Sequence, residues 1–237
     1  MNIELLKKPK NPIIISGFPG FGLVGTIASE FLLDHLKCEL IGRITDEGLP
    51  AMIAVHEGAI VEPIGIFYNS KYNIVIVHAV TGIQGLEWKI SDAILDIADQ
   101  LKAKEIISLE GIGSMNPSND TKSYYYSSDP KRAEKLIESS SEKLKEGIVM
   151  GTTGIMILKA KKGLPVSVIF AETHSKLPDS KAAAKVIEVL DKYIGLKVDY
   201  NPLLKQAEKF EAKLKGLLSK GQQMMQEQEK KKLSYVG

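Results

Sequence analysis

The sequence has little of the chemistry on which disulfide-rich or membrane-spanning proteins depend. It contains one cysteine, Cys38, so neither an internal disulfide nor a thiolate cluster for a metal ion can form. It has no run of 18 apolar residues, and residues 1–10 lack the apolar core of a signal peptide, so we expect a soluble, cytoplasmic protein without a membrane partner. Hydrophobic residues still make up 44% of the 237 residues, which excludes an intrinsically disordered chain.

The charge is nearly balanced overall but is unevenly distributed. There are 31 basic and 29 acidic residues, for a formal net charge of +2. Residues 203–237 carry eight lysines and four glutamates, so the excess of positive charge lies at the C-terminal end and the rest of the chain is slightly acidic. Nucleic-acid-binding domains concentrate positive charge on their folded body. We therefore predict no nucleic-acid partner.

Short apolar runs alternate with helical periodicity through the first 200 residues. Residues 12–16 and 73–80 are typical of strands that are buried on both faces, and helical stripes cover 90–101 and 180–194. This alternation predicts an α/β fold with a mostly parallel sheet covered on both faces by helices. We assign residues 1–200 to this core domain.

The region between residues 120 and 150 gives weaker signals. We predict a helix over 130–146, capped by Asp129 with Pro130 in its first turn, and a strand over 148–150. The tyrosines at 124–126 lie in a predicted polar loop. Because three consecutive aromatic residues cannot all face one side, we expect part of this aromatic surface to be available to a partner.

A glycine-rich turn after the first buried strand is the first candidate site. Three of its glycines have the spacing of a dinucleotide-binding loop. However, Pro19 removes one N–H donor, and Thr26 stands where the phosphate loop of nucleotide triphosphatases requires lysine. The same glycines suit any tight strand-to-helix turn. We predict a structural turn, with a ligand loop as the alternative; its glycines are Gly17, Gly20, Gly22 and Gly25.

The alternative is an enzyme or sensor that binds a nucleoside or nucleotide at this turn. Glu110, Glu172 and His174 follow two predicted strands and would face the ligand across a cleft. The competing interpretation is that Glu172 and Thr173 cap a neighbouring helix or hold the loop that leads to Asp179.

The histidines show no spacing that is typical of a metal site. His35 lies on the predicted buried stripe of a helix and His78 within a predicted buried strand, positions that are usual for core histidines. We predict no metal and no cofactor. The four histidines are His35, His56, His78 and His174.

A heptad pattern begins at residue 203, with apolar residues at alternating spacings of four and three. It predicts a helix over residues 201–232, which either packs on its own core or projects into a partner subunit. Residues 203–231 would span roughly 43 Å at about 1.5 Å per residue. The candidate partner-binding side chains on this helix are Phe210, Leu214, Leu217 and Met224.

The last five residues, 233–237, form a predicted flexible tail after three lysines. The tail offers an aromatic anchor, an open backbone and a terminal carboxylate, which are the features of a tethered peptide ligand. The competing interpretation is a frayed terminus without a role. The candidate docking residues are Leu233, Tyr235, Val236 and Gly237.

Taken together, these segments resemble the archaeal branch of the proteasome assembly chaperone family, over about residues 12–210. The resemblance rests on the strand–turn–helix opening and on several glycine-containing motifs further along the chain. These segments are 17–25 (GFPGFGLVG), 105–113 (EIISLEGIG), 151–158 (GTTGIMIL), 163–166 (GLPV), 171–173 (AET), 178–179 (PD) and 194–199 (IGLKVD).

The resemblance implies a three-layer α/β/α sandwich similar to that of purine nucleoside phosphorylases, without their catalytic residues and without a cofactor. It implies a homo-oligomer or a hetero-oligomer with a second family member, which binds proteasome α subunits and assists core-particle assembly. Some archaeal members also dock on the α ring through a C-terminal hydrophobic–tyrosine–any-residue motif. Here Tyr235 is third from the end and follows Ser234, so this chain departs from that pattern.

Overall fold

A computed structural model describes residues 1–56, 58–113, 121–173 and 177–205, together with residues 216 and 219. The strands are β1 (Asn2–Leu5), β2 (Ile13–Gly17), β3 (Glu39–Thr45), β4 (Ala54–His56), β5 (Ala59–Val61), β6 (Ile64–Asn69), β7 (Ile74–Ala79), β8 (Glu105–Gly113), β9 (Ser123–Ser127), β10 (Glu142–Lys143) and β11 (Val166–Thr173). The helices are α1 (Val24–His35), α2 (Glu87–Leu101), α3 (Pro130–Glu138), α4 (Gly151–Lys159), α5 (Ser180–Ile194) and α6 (Asn201–Lys205).

Nine of these strands form one sheet, in the order β1-β3-β6-β7-β2-β8-β11-β9-β10. The four central strands, β7, β2, β8 and β11, are parallel to their neighbours in this set. Antiparallel pairing begins at β6 on one side and at β9 on the other. The strand pair β4–β5 forms a separate hairpin. The predicted parallel sheet is thus its central part, and the outer strands make the whole sheet mixed.

Helices cover both faces of this sheet. Helices α1, α3, α5 and α6 pack on one face, where Ile15 and Ile107 point into their core. Helices α2 and α4 pack on the other face, against Ile14 and Ile106. Successive residues of one strand therefore enter two different cores, as the continuous apolar runs require. The predicted three-layer α/β/α sandwich is confirmed.

The predictions for residues 120–150 were partly wrong. Helix α3 begins as predicted, since the Asp129 side chain accepts a hydrogen bond from the Arg132 N–H. It ends at Glu138 rather than at residue 146, because Ser139 donates its hydroxyl to a carbonyl of the last turn and Ser140 has a φ of +67°. Residues 148–150 form no strand but lead into α4.

Two side-chain placements also differ from the prediction. The tyrosines at 124–126 lie in strand β9 rather than in a loop, so alternation buries Tyr125 and leaves its two neighbours half-buried. His35 is exposed at the end of α1, where its ring stacks on Phe31 with 5.4 Å between centroids. His78 is buried in β7 as predicted.

Helix α6 begins where the predicted C-terminal helix begins. Its Leu203 is buried in the core beneath α5, so the first turn of this segment packs on the body. The predicted partner-binding residues of this helix and of the tail lie outside the described residues. They are Phe210, Leu214, Leu217, Met224, Leu233, Tyr235, Val236 and Gly237.

Candidate functional site

A cleft of about 780 Å³ opens at the carboxyl ends of the parallel strands. It lies between the turn that follows β2 and the loop that follows β7. The chain leaves β2 for α1 on one face of the sheet and leaves β7 for α2 on the other face. Such a divergence opens a crevice between neighbouring strands, and this is where open α/β sheets bind their ligands.

Three of the four turn glycines are in close contact with other parts of the protein. A Cβ atom at Gly17 would lie 2.2 Å from the Ser29 hydroxyl oxygen. One at Gly25 would lie 2.3 Å from the backbone oxygen of Leu109. Gly22 has a φ of +62°, which favours glycine, and a Cβ there would lie 2.5 Å from the hydroxyl of Thr173. Side-chain and backbone atoms thus occupy the space beside these glycines, which supports the structural interpretation of the turn.

Gly20 differs from the other three because it borders the cleft. A Cβ atom at this position would lie 3.2 Å from Glu110 Oε2. Its neighbour Phe21 is 41% exposed and also lines the cleft. The part of the turn that could contact a ligand is therefore residues 18–21 and residue 23.

Glu110 is held by a chain of hydroxyl groups below the cleft. Its Oε1 accepts hydrogen bonds from Ser108 Oγ at 3.2 Å and Thr153 Oγ1 at 2.5 Å. The Ser108 and Thr153 hydroxyl oxygens are 2.6 Å apart, and Ser16 donates to Ser108 at 3.1 Å. The network joins β2, β8 and the first turn of α4. It fixes the carboxyl group at the floor of the cleft.

Burial raises the pKa of Glu110 from 4.5 to about 7, and the hydroxyl donors from Thr153 and Ser108 oppose this shift only in part. No lysine or arginine is among the described residues that line the cleft. Glu110 therefore exchanges its proton near neutral pH. Its carboxyl group can both donate and accept hydrogen bonds there.

The charged side chains among the described lining residues are all acidic: Glu87, Glu110 and Glu146. Phosphate groups of a nucleotide would approach these carboxylates without a compensating cation from the same surface. This electrostatic arrangement disfavours a nucleoside triphosphate and favours a ligand that carries positive charge or hydrogen-bond donors.

The sequence-predicted pair Glu172 and Thr173 does not line this cleft. The Glu172 carboxylate accepts a hydrogen bond from the Tyr124 hydroxyl at 2.9 Å. Thr173 donates to Asp179 Oδ2 at 2.9 Å, and Asp179 in turn caps α5 by accepting from the Ala182 N–H. Thr173 thus holds the loop that leads to α5. The third residue of the nucleotide alternative, His174, lies outside the described residues.

His78 takes part in a buried arrangement that resembles a serine–histidine–carboxylate set. Its Nδ1 lies 2.7 Å from Ser29 Oγ, and its Nε2 lies 2.8 Å from Glu30 Oε2. Ser29 is fully buried, so no substrate can reach its oxygen in this conformation. The arrangement fastens α1 to β7, as expected for a core histidine.

The rim of the cleft is apolar and exposed. Ile148 and Met150, in the segment that leads into α4, are 87% and 67% exposed. Trp88, next to the lining residue Glu87, is 57% exposed. Exposed apolar side chains of this size are typical of surfaces that contact another polypeptide. The sequence predicts a strand at residues 148–150 rather than an exposed rim, because an apolar residue in a short segment does not reveal its exposure.

Neither a metal-binding cluster nor a membrane-spanning helix occurs in the described part of the chain. No group of three or more histidine, cysteine and acidic side chains there is arranged to hold a metal ion. None of the helices in the same residues has both the length and the apolar character needed to cross a bilayer.

The chain is thus a three-layer α/β/α protein with a close-packed glycine turn and an acidic cleft at the carboxyl ends of its parallel strands. The chain belongs to the PAC2 family, whose model matches residues 14–218. The predicted family resemblance is confirmed.

Solved structures and curated relatives agree with this assignment. Pyrococcus furiosus PbaA, described as an archaeal homologue of a proteasome-assembly chaperone, is 32% identical, with 96% of this chain and 100% of that chain covered and a TM-score of 0.84. Pyrococcus furiosus PbaB, described as an archaeal proteasome activator, shares the fold at 20% identity, with coverage of 91% and 98% and a TM-score of 0.76. An uncharacterised Methanocaldococcus jannaschii protein is 28% identical over 96% of this chain and 94% of its own.

Proposed function

We propose that this protein is a non-enzymatic, cytoplasmic chaperone or adaptor that binds proteasome α subunits and assists core-particle assembly or docks on the α ring. The observation that carries the proposal is the 32% identity to PbaA over 96% of the chain, at a TM-score of 0.84. Membership of the PAC2 family over residues 14–218 supports it. The protein acts as a homo-oligomer or together with a second family member.

The geometry of the carboxyl edge supports a binding role rather than catalysis. Protein atoms occupy the space beside three of the turn glycines, and the buried Ser29 cannot serve as a nucleophile. The exposed side chains around the cleft, such as Ile148 and Met150, are those of a surface that binds a polypeptide. A chaperone needs such apolar surface in order to hold a subunit before it assembles.

Docking is assigned to the C-terminal residues. Leu233, Tyr235, Val236 and Gly237 would bind the α ring, with Tyr235 as the aromatic anchor. The preceding helical segment would contact a partner or neighbouring copies through its apolar heptad positions. These are Phe210, Leu214, Leu217 and Met224.

Removal of residues 233–237 is expected to weaken binding to isolated α rings by at least about a hundredfold, because an aromatic anchor and its neighbours contribute several kcal/mol. Surface plasmon resonance with immobilised α rings measures the effect. Light scattering provides the mass of the oligomer, which is expected to stay unchanged.

The matched control is Ser234→Ala, which alters a residue between the proposed anchors and is expected to bind as the unmodified chain does. Full binding by the truncated protein would contradict the docking proposal. A change in oligomer mass would instead show that the tail serves self-association.

The nucleotide alternative gives a separate prediction. We expect calorimetric titration with ATP, GTP and their diphosphates to give no binding, because Glu87, Glu110 and Glu146 repel phosphate. Binding that is lost in Gly20→Val would overturn this expectation. Gly20 is the suitable position because it borders the cleft, whereas a larger residue at Gly22 would disturb the fold through its contact with Thr173.

A further inference from the structure

The segment between β10 and α4, residues 144–150, forms one wall of the cleft. Within the described part of the chain, no hydrogen bond uses the backbone N–H groups of residues 145–149. Leu144 is tied to β9 through its own N–H, so the segment is fixed at its start. The wall therefore offers exposed apolar side chains together with backbone donors that no described residue uses, the two features by which a surface binds an extended peptide.

The floor and sides of the same cleft select for positive charge. Glu110 lies at the floor, Glu87 begins α2 at one side, and Glu146 is exposed on the wall formed by residues 144–150. Aromatic and aliphatic residues, including Phe18, Phe21 and Ile83, line the same cleft. An occupant that suits both features is a short peptide in which lysines adjoin large apolar residues.

The chain itself contains such a peptide. Residues 230–236 read KKKLSYV, so three lysines directly precede Leu233, Tyr235 and Val236. From the end of α6 at Lys205 there are 25 residues to Lys230. This length spans about 38 Å as a helix and about 80 Å when extended, which is enough to reach across the body of its own or a neighbouring copy.

From this complementarity we propose that the acidic cleft is a receptor for the C-terminal segment 230–236 of this chain. The lysines are placed towards the carboxylates of Glu87, Glu110 and Glu146, and the apolar residues lie along Ile148 and Met150. The contact goes beyond the proposed docking on α subunits, and it does not depend on that docking. If both occur, the tail is in the cleft when no α ring is present, and the two sites compete for it.

The test uses full-length protein and a labelled peptide of residues 229–237. One variant, the tail-reversed receptor, carries Lys230→Glu, Lys231→Glu and Lys232→Glu. These substitutions reverse the charge of the tail, so that the receptor's own tail leaves the cleft free. Fluorescence anisotropy is expected to show that the peptide binds this receptor about tenfold more tightly than the unmodified chain, whose own tail competes. The single tryptophan, Trp88, is adjacent to Glu87 and provides a second signal.

A cleft variant and a matched surface variant locate the binding site. Glu146→Lys in the tail-reversed receptor is expected to weaken peptide binding about tenfold or more, because an attractive charge on the wall becomes repulsive. Glu134→Lys makes the same change of charge on an exposed position of α3, on the opposite face of the sheet, and is expected to leave binding unchanged. Equal peptide affinity in the unmodified and tail-reversed proteins would overturn the proposal. Unchanged peptide binding by the Glu146→Lys variant would also overturn it.

The experiment also separates other occupants of the cleft. A photo-reactive residue at Met150 is expected to cross-link to a tail peptide when purified full-length protein is irradiated alone. If Met150 cross-links only to added α subunits, the cleft is a surface for α subunits and the tail assignment is overturned. None of the peptide measurements includes an α ring, so failure of the docking proposal leaves their result intact.

Discussion

Gly25→Ala is expected to destabilise the protein by about 3 kcal/mol, because the new methyl group has no space. Its Cβ would lie 2.3 Å from the backbone oxygen of Leu109 and 3.2 Å from that of Phe18. Both neighbours are backbone atoms, that of Leu109 in β8 and that of Phe18 in the turn that follows β2, so relief requires movement of α1 away from β8. Equilibrium unfolding in urea measures the loss as a lower midpoint with an unchanged slope.

The matched control is Gly82→Ala, which adds the same methyl group at a glycine that lines the cleft. No atom lies within 4 Å of a Cβ there, so we expect a change of less than about 1 kcal/mol. Equal stability of Gly25→Ala and Gly82→Ala would contradict the close contact between α1 and β8. The comparison also separates the two interpretations of the turn, because a glycine kept free for a ligand would accept alanine without loss of stability.

The strongly periodic elements could be predicted from the sequence because their pattern has one physical explanation. Residues 73–80 form a short, mostly apolar run rich in β-branched residues, which is typical of a strand buried on both faces. Helix α5 was equally clear, from its apolar face and the glycine at position 195, which adopts a φ of +71° at the helix end.

Strand β9 and the segment before α4 could not be predicted in the same way. Three adjacent tyrosines and two serines give no clear alternation, and only pairing with β11 shows that Tyr125 faces the core. The run Ile148–Met150 has the composition of a buried strand, yet the neighbouring residues of the fold leave it exposed. Its apolar residues belong to a surface, and composition cannot distinguish a surface of this kind from a core.

The site was predictable only in part. Glu110 was recognisable because polar residues at the end of a buried strand gather at the carboxyl edge of a parallel sheet. Its partners Ser108 and Thr153 were not, since Thr153 is 43 residues further along the chain and its position depends on how α4 packs. Likewise, the difference in charge between the tail and the body was visible in the sequence, but the three cleft carboxylates come from helix α2, strand β8 and the segment before α4.

The Glu110 carboxyl group makes stability depend on pH in a way that one substitution removes. In the folded protein, burial raises its pKa to about 7, whereas the exposed group in the unfolded chain titrates near 4.5. Between these values the folded state holds a proton that the unfolded state has lost, so stability falls as the pH rises from about 4.5 to about 7. Above that range the carboxylate is ionised in both states and the full cost of burying it remains.

Glu110→Gln is therefore expected to stabilise the protein at pH 8 by about 1–2 kcal/mol and to change its stability little at pH 5. The full shift would correspond to about 3 kcal/mol at about 1.4 kcal/mol per pKa unit, and the partial exposure of this side chain to solvent reduces the effect. The glutamine oxygen can still accept the hydroxyl hydrogen bonds from Ser108 and Thr153, so the network at the floor of the cleft is kept.

Urea unfolding of both proteins at pH 5, 6.5 and 8 measures this difference, and the buried carboxyl group of Glu105 contributes equally to each and cancels. Glu134→Gln, on the exposed face of α3, is the matched control and is expected to show no dependence of this kind. A gain that is the same at pH 5 and pH 8 would contradict the assignment, because a substitution that only improves packing does not follow the titration of a carboxyl group. A gain confined to the higher pH would show that the floor of the cleft carries a destabilising charge, which a bound cation would neutralise.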